Sequence, residues 1–158
     1  MIKKPFLVKI FLILFVSAVN LNFAQDELKK EPVDLNEFLG ARLYKIFEVF
    51  GNPYDLFCSA DGKSETILDY GTFAFQVGNK TVNIVYFWEN FKGNVFEVSI
   101  GTSSEDLFKK YGKPTLEKRS TIDGNVIWVY NLVKTDRMFV VFFDKDNKIS
   151  RMQIEWLS

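Results

Sequence analysis

Few residues in this chain are equipped for chemistry, and those few do not assemble into a recognisable set. None of the 158 residues is histidine, which removes His-based triads, His-ligated zinc and the commonest general base. Cys58 is the one cysteine. It has no histidine to activate it as a nucleophile and no second thiol for an internal disulfide. Its apolar neighbours Leu56 and Phe57 predict a buried thiol. No Gly-x-Ser-x-Gly elbow, P-loop or dinucleotide fingerprint occurs. Two carboxylate pairs, Glu65 with Asp69 and Glu89 with Glu97, have residue types suited to acid–base work at a glycosidic bond. Carboxylates in turns and at strand edges are more often solvated. Asp144-x-Asp146, with Glu155 eleven residues after Asp144, echoes a calcium loop. Ile149 stands where that loop needs glycine and Lys148 fills a ligand position, so the segment reads as an Asp/Asn hairpin turn. The expectation is a protein that is not an enzyme and that holds no metal and no cofactor.

Aromatic side chains are what the chain has in quantity: 17 Phe, 6 Tyr and 3 Trp. Those turned to the core supply large burial in a domain without disulfides. Those left on an open sheet face are candidate anchors for a partner, because Tyr and Trp recur at binding hot spots. Tyr70, Phe73, Tyr86, Trp88, Trp128 and Tyr130 fall on expected strands and are the candidate binding residues. Which strand parity faces outward is not readable from the sequence.

The elements that must position these residues come as a repeat. Gly40, Gly51 and Pro53 recur as Gly101, Gly112 and Pro114, each 61 residues on, with Phe47/Phe108 and Phe50/Tyr111 at the same offset. In the first copy Asp34-Leu35-Asn36-Glu37 is a capping-box pattern. Leu35, Phe38, Leu39, Leu43, Ile46, Phe47 and Phe50 then recur at helical spacing, and Gly40 within that pattern predicts a split into two short helices. In the second copy Thr102-Ser103-Ser104-Glu105 is the capping box, and Leu107, Phe108 and Tyr111 form the stripe. Gly51 and Gly112 end the helices and the prolines block their restart.

Strands are expected over 66–77, 81–88 and 95–100 in the first copy, with 55–64 a polar turn region. In the second they are expected over 115–121, 126–133, 138–143 and 149–156. Met152, Ile154 and Trp156 alternate with Arg151, Gln153 and Glu155, the pattern of a half-exposed antiparallel strand. Residues 84–88 and 138–143 are apolar on both parities, so each of their faces must meet something: a helix on one, a second sheet or a partner on the other. The fold class expected is α+β in two tandem units, 35–100 and 101–158, each a short helical segment packed on an antiparallel β-sheet.

The N-terminus reads as a secretory signal, residues 1–24: a basic start at Lys3 and Lys4, a short apolar run from Ile10 to Val19, and cleavage after about Ala24. That run is well short of the ~20 apolar residues a membrane span needs. Residues 25–34 are a charged, flexible leader. Past residue 24 the chain carries 17 basic and 20 acidic groups, so there is no basic stripe for nucleic acid. The expected location is the periplasm or the extracellular space, with membrane association only through an uncleaved signal.

Residues 100–114, with their Gly-Thr-Ser turn, acidic-capped helix and Gly112-x-Pro114 exit, resemble the opening of the SmpA/OmlA-type outer-membrane assembly domain and the repeat of the β-lactamase inhibitory proteins. Trp128-x-Tyr130 and the Asp144–Ile149 turn into a last strand fit the same pattern. The first copy keeps less of it, and the lipid-attachment cysteine and paired disulfides of those families are absent. The resemblance implies sheets that bind other proteins. The function expected is a non-catalytic protein-interaction module of the bacterial cell envelope, binding a protein partner through an aromatic sheet face. The alternative is a carrier for a lipid or glycan fragment with an apolar pocket.

Overall fold

Eight antiparallel strands form one continuous sheet in the order β1-β2-β3-β4-β8-β7-β6-β5. The computed structural model describes residues 34–58, 65–120 and 124–157; the expected signal segment and most of the leader lie outside the described residues. The strands are β1 (Asp55–Cys58), β2 (Glu65–Asp69), β3 (Phe73–Gly78) and β4 (Thr81–Phe87), then β5 (Leu116–Arg119), β6 (Val126–Leu132), β7 (Arg137–Phe143) and β8 (Ile149–Trp156). Among the described residues the α-helices are α1 (Leu43–Phe50) and α2 (Ser104–Tyr111). The α+β class is as expected. The separate sheets are not: β4 pairs with β8 and fuses the strands into one layer, so among the described residues no second sheet covers the other face.

Gly40 does divide the first helical segment. A 3-10 turn, Leu35–Phe38, is capped by Asp34, whose carboxylate accepts from the Asn36 N–H at 2.9 Å. Gly40 then takes φ +83°. Its N–H donates to the Val82 carbonyl at 2.8 Å, and an added Cβ would come within 3.0 Å of the Trp156 ring. α2 starts one residue later than the sequence implied. Ser103, not Thr102, is the N-cap; its hydroxyl accepts from the Asp106 N–H at 3.1 Å and donates to the Asp106 carboxylate at 2.8 Å.

Three strand expectations change. The run 66–77 is broken by a turn at Tyr70-Gly71-Thr72, with Gly71 at φ +85°. Residues 55–58, expected as turn, are the edge strand β1. Residues 95–100 are not a strand but a tight turn, in which Val95 and Val98 exchange backbone bonds of 2.7 and 3.0 Å around Phe96 and Glu97. Both central residues have positive φ, 50° and 61°, which L-residues rarely adopt. Contacts from α2 hold them there. The Tyr111 hydroxyl donates to the Phe96 carbonyl at 2.6 Å, and the Lys110 ammonium donates to Glu97 at 2.6 Å.

The core lies between the sheet and the two helices. Phe75, Phe87, Phe139 and Phe143 are 0 to 1% exposed, each contributing on the order of 1.5–3 kcal/mol by burial. Phe50 of α1 meets Phe38, Tyr70, Phe73 and Phe75 at centroid distances of 5.0 to 5.6 Å. Each helix ends on a glycine of nearly identical geometry, Gly51 at φ 71°, ψ −152° and Gly112 at φ 73°, ψ −154°. This is not the left-handed helical cap but a region reserved almost wholly for glycine. A Cβ at Gly112 would meet nothing within 4 Å, so only backbone strain opposes a side chain there. Gly112→Ala is expected to lose about 1–3 kcal/mol of stability, read as a lower melting temperature than wild type or an exposed-site control such as Lys113→Ala. Equal melting would refute the cap assignment.

Candidate functional site

Strand register assigns every side chain to one of two faces. The helix-side face carries Leu68, Phe73, Phe75, Val85, Phe87, Met152, Ile154, Phe139, Val141 and Trp128, paired across the ladders. The opposite face has a central row Ala74, Tyr86, Gln153, Val140 and Val129, each opposite the next. Ala74 and Val140 are buried at 0% and 6% exposure, yet both fall outside the cluster that joins the helices to the sheet. Among the described residues no element packs on this second face. Its side chains cover one another.

The six candidate residues divide between these faces. Tyr86 and Trp88 lie on the open face, stacked at 5.2 Å with 10° between their planes. Tyr70 and Phe73 stack on the helix side at 5.3 Å. Trp128 packs edge-on against Phe143 at 4.9 Å, and Tyr130 is 4% exposed. Tyr70 and Tyr130 have matching tasks there: their hydroxyls donate to the carbonyls of Gly51 and Gly112, at 2.9 and 3.3 Å. The structure therefore brings two of the six together on the uncovered surface and uses the other four to hold the helix ends and the core.

Residues other than the six candidates complete the surface. Ile84, Met138, Phe142 and Ile127 surround the central row, and the Arg151 guanidinium lies over the Phe142 ring at 3.9 Å. Trp88, Phe142 and Arg151 line a cleft of about 330 Å³ at one end, with Glu89 at its wall. Polar contacts fix the middle of the face. The Tyr86 hydroxyl donates to Gln76 at 2.5 Å, and the Gln76 amide donates to Glu65 at 2.8 Å. The residues 84–88 are apolar on both parities, which is the sequence signal for two occupied faces, but it does not mark which one is open.

The groups singled out for chemistry do not converge. Cys58 is exposed rather than buried, because β1 is an edge strand whose four residues are all exposed. Glu97 pairs with Lys110 at 2.6 Å, whereas Glu89 lines the open-face cleft. Asp69 accepts from the Gly71 N–H at 2.7 Å. The Asp144 carboxylate accepts from the N–H groups of Asp146 and Lys148, both at 2.9 Å, the geometry of an Asx hairpin turn. Among the described residues no three His, Cys, Asp or Glu side chains are grouped to hold a metal ion.

An antiparallel eight-stranded sheet with two helices on one side defines the class of fold. No protein-family model matches the chain, and no curated protein matches it. Solved structures of similar fold exist. One is an extracellular protein containing a SCP domain from Bacillus anthracis, with TM-score 0.58, 16% identity, and coverage of 81% of this chain and 49% of that one. A cysteine-rich secretory protein from Staphylococcus aureus matches with TM-score 0.55 and 15% identity, over 78% of this chain and 45% of that one. A DUF4309 family protein from Bacillus subtilis matches at 0.50 and 12%, over 73% and 78%. The chain spans about half the length of the first two, and at these identities the likeness is one of fold.

These neighbours overturn the resemblance to SmpA/OmlA domains and β-lactamase inhibitory proteins. The residues that carried it, a Gly-Ser/Thr turn, a capped helix and a Gly-x-Pro exit, are the start and stop signals of a short helix leading into a strand. Any fold that needs such a helix can use them.

Four tyrosines have their ionisation pushed above the ordinary 10.0: Tyr70, Tyr86, Tyr111 and Tyr130. Burial is the main cause in each; Glu155 and Glu65 add to it at Tyr86, and Tyr130 reaches about 12. The folded state holds these protons more tightly than the unfolded chain. Their contribution is complete below pH 10 and is lost as pH rises toward 12. The melting temperature is expected to fall over that range, and less steeply in Tyr130→Phe. A variant as alkali-sensitive as wild type would contradict this.

Proposed function

We propose that this chain is an exported, non-catalytic binding protein, built from two copies of one helix-plus-four-strand unit, that engages a protein partner of the cell envelope through the open face of its sheet. The single observation that carries the reading is that face: a full sheet width with Tyr86, Trp88 and Phe142 on it and no described element covering it. An uncovered surface of this kind with aromatic anchors is the usual form of an interaction site.

Duplication is supported beyond the sequence offset. The ladder shifts register between Gln76 and Val77 in β3, and again between Phe142 and Phe143 in β7. The Gly40 N–H donates to Val82 and the Gly101 N–H to Ile149, both at 2.8 Å. Arg42 bridges to Thr81, and Ser103 to Lys148. At the junction Val85 opposes Ile154 and Phe87 opposes Met152, so an approximate two-fold passes between Tyr86 and Gln153. The units run 35–100 and 101–158, after a signal segment 1–24 and a leader 25–34. Export rests on the N-terminal pattern and on a fold neighbour described as extracellular. A lipid or glycan carrier would need room between helices and sheet, where the rings of Phe38, Phe50 and Phe75 pack at 5.0 to 5.8 Å.

A photocrosslinking residue placed at Ile84 or Met138 in exporting cells is expected to capture one defined protein, and the same residue at Glu105 on α2 is not. With that protein in hand, Trp88→Ala should weaken binding by roughly tenfold or more without a matching loss of melting temperature. Equal capture from Glu105, or none from the sheet face, would refute the proposal. N-terminal sequencing of the exported chain should begin at Gln25.

A further inference from the structure

We infer that the end of the molecule formed by α1 and β1 is a membrane-docking edge that seats on an anionic lipid bilayer surface. α1 and α2 have the same length and begin 61 residues apart, as do β1 and β5. The two ends are the same piece of backbone with different side chains. At the first end Tyr44, Tyr54, Leu56 and Phe57 are 67%, 86%, 56% and 50% exposed. At the same offset the second end has Glu105, Thr115, Glu117 and Lys118. The backbone therefore accepts polar residues at all four positions, and the apolar set at the first end is not a requirement of the fold.

The chemistry of the edge selects the occupant. Both β1 and β5 are edge strands. β5 has one exposed apolar residue, Leu116, and three consecutive charges, Glu117, Lys118 and Arg119, of the kind that guard exposed edges, whereas β1 presents Leu56 and Phe57 with Asp55 as its one charge. These two point to opposite faces, Leu56 beside Leu68 and Phe57 beside Ile67. A ligand lying in a groove would meet only one of those faces, while a bilayer surface receives an edge that is apolar on both. Beside it, a groove along α1 of about 570 Å³ is lined by Leu43, Tyr44 and Phe47, and its only charged lining residues are Arg42 and Lys80. Neither forms an ion pair among the described residues. Asp55, the acid on β1, turns its carboxylate back to the Leu56 N–H at 2.8 Å. Apolar and tyrosine side chains bordered by the cations Arg42 and Lys80 match the interface of an anionic membrane.

The exposed thiol of Cys58, at the end of β1, provides the readout. The full chain, as released by exporting cells, is labelled there with an environment-sensitive fluorophore and mixed with vesicles of equal parts phosphatidylcholine and phosphatidylglycerol. The label is expected to shift to an apolar emission, and to shift much less with phosphatidylcholine alone. A label at the matching place on β5, introduced as Arg119→Cys in a Cys58→Ser background, is expected to stay aqueous. Replacing Tyr44, Leu56 and Phe57 by the residues found 61 places on (Tyr44→Glu, Leu56→Glu, Phe57→Lys) should weaken vesicle partition roughly tenfold or more. Arg42→Gln with Lys80→Gln should remove the preference for anionic lipid. Equal shifts at both labels, no shift at either, or a Cys58 response to free oleate as large as that to vesicles would overturn the proposal. So would a Cys58 response that appears without lipid as concentration rises, which would mean pairing of β1 with a second copy.

Discussion

The pairing of β4 with β8 is the constraint from which the rest of this structure follows. Val85, Phe87, Met152 and Ile154 meet across that junction, and none is more than 1% exposed. Each side of it is a four-stranded meander with one helix of eight residues. Helices that short do not persist alone in water, and a four-stranded layer with one such helix buries little. Joined, the two meanders share one apolar layer, and β4 and β8 exchange two unprotected edges for a buried centre. The two outer strands, β1 and β5, keep a free edge and differ in composition: Asp55, Leu56 and Phe57 on the first, and Leu116, Glu117, Lys118 and Arg119 on the second.

A single sheet with both helices on one side also decides where surface is left over. The helix side is closed by rings: Phe50 of α1 packs on Tyr70, Phe73 and Phe75, and Tyr111 of α2 packs on Tyr130 and Phe139 of the sheet. The other side keeps a row that runs from Ala74 through Tyr86 and Gln153 to Val140. It is tied by the hydrogen bonds from Tyr86 to Gln76 and from Gln76 to Glu65. The open face and the apolar end at β1 adjoin: Phe57 lies on the open-face side of the edge strand and Leu56 on the helix side.

The tight turn at Phe96 and Glu97 shows how local cost is met by tertiary contacts. Two consecutive non-glycine residues at positive φ are unfavourable in isolation. Tyr111 and Lys110, on the last turn of α2, bond to the two residues that adopt it, and the Phe96 ring packs on Phe139 at 5.5 Å. The segment between the halves is thereby fixed to the second helix. In sequence this stretch, Val95 to Ile100, has the β-branched and aromatic residues of a strand, and composition alone predicts one.

Much of the architecture was legible in the residues themselves. The offset of 61, the glycines that end each helix, the break at Gly40 and the alternation in β8 are local signals. They depend on backbone conformations that few residues allow, or on a period of two along one strand. The edge strand β1, the turn at Tyr70–Thr72 and the merging of two sheets into one were not legible, since each depends on which strands find each other across the chain. The site divides in the same way. Aromatic content marked a surface that could bind. Only the register of Tyr86 against Gln153, and of Trp128 against Val141, decided that Tyr86 and Trp88 face outward while Tyr70, Phe73, Trp128 and Tyr130 face the helices. A strand that is apolar on both parities says that two faces are occupied. Which of them meets a helix is set by long-range pairing, because moving the register by one residue turns every side chain to the other face.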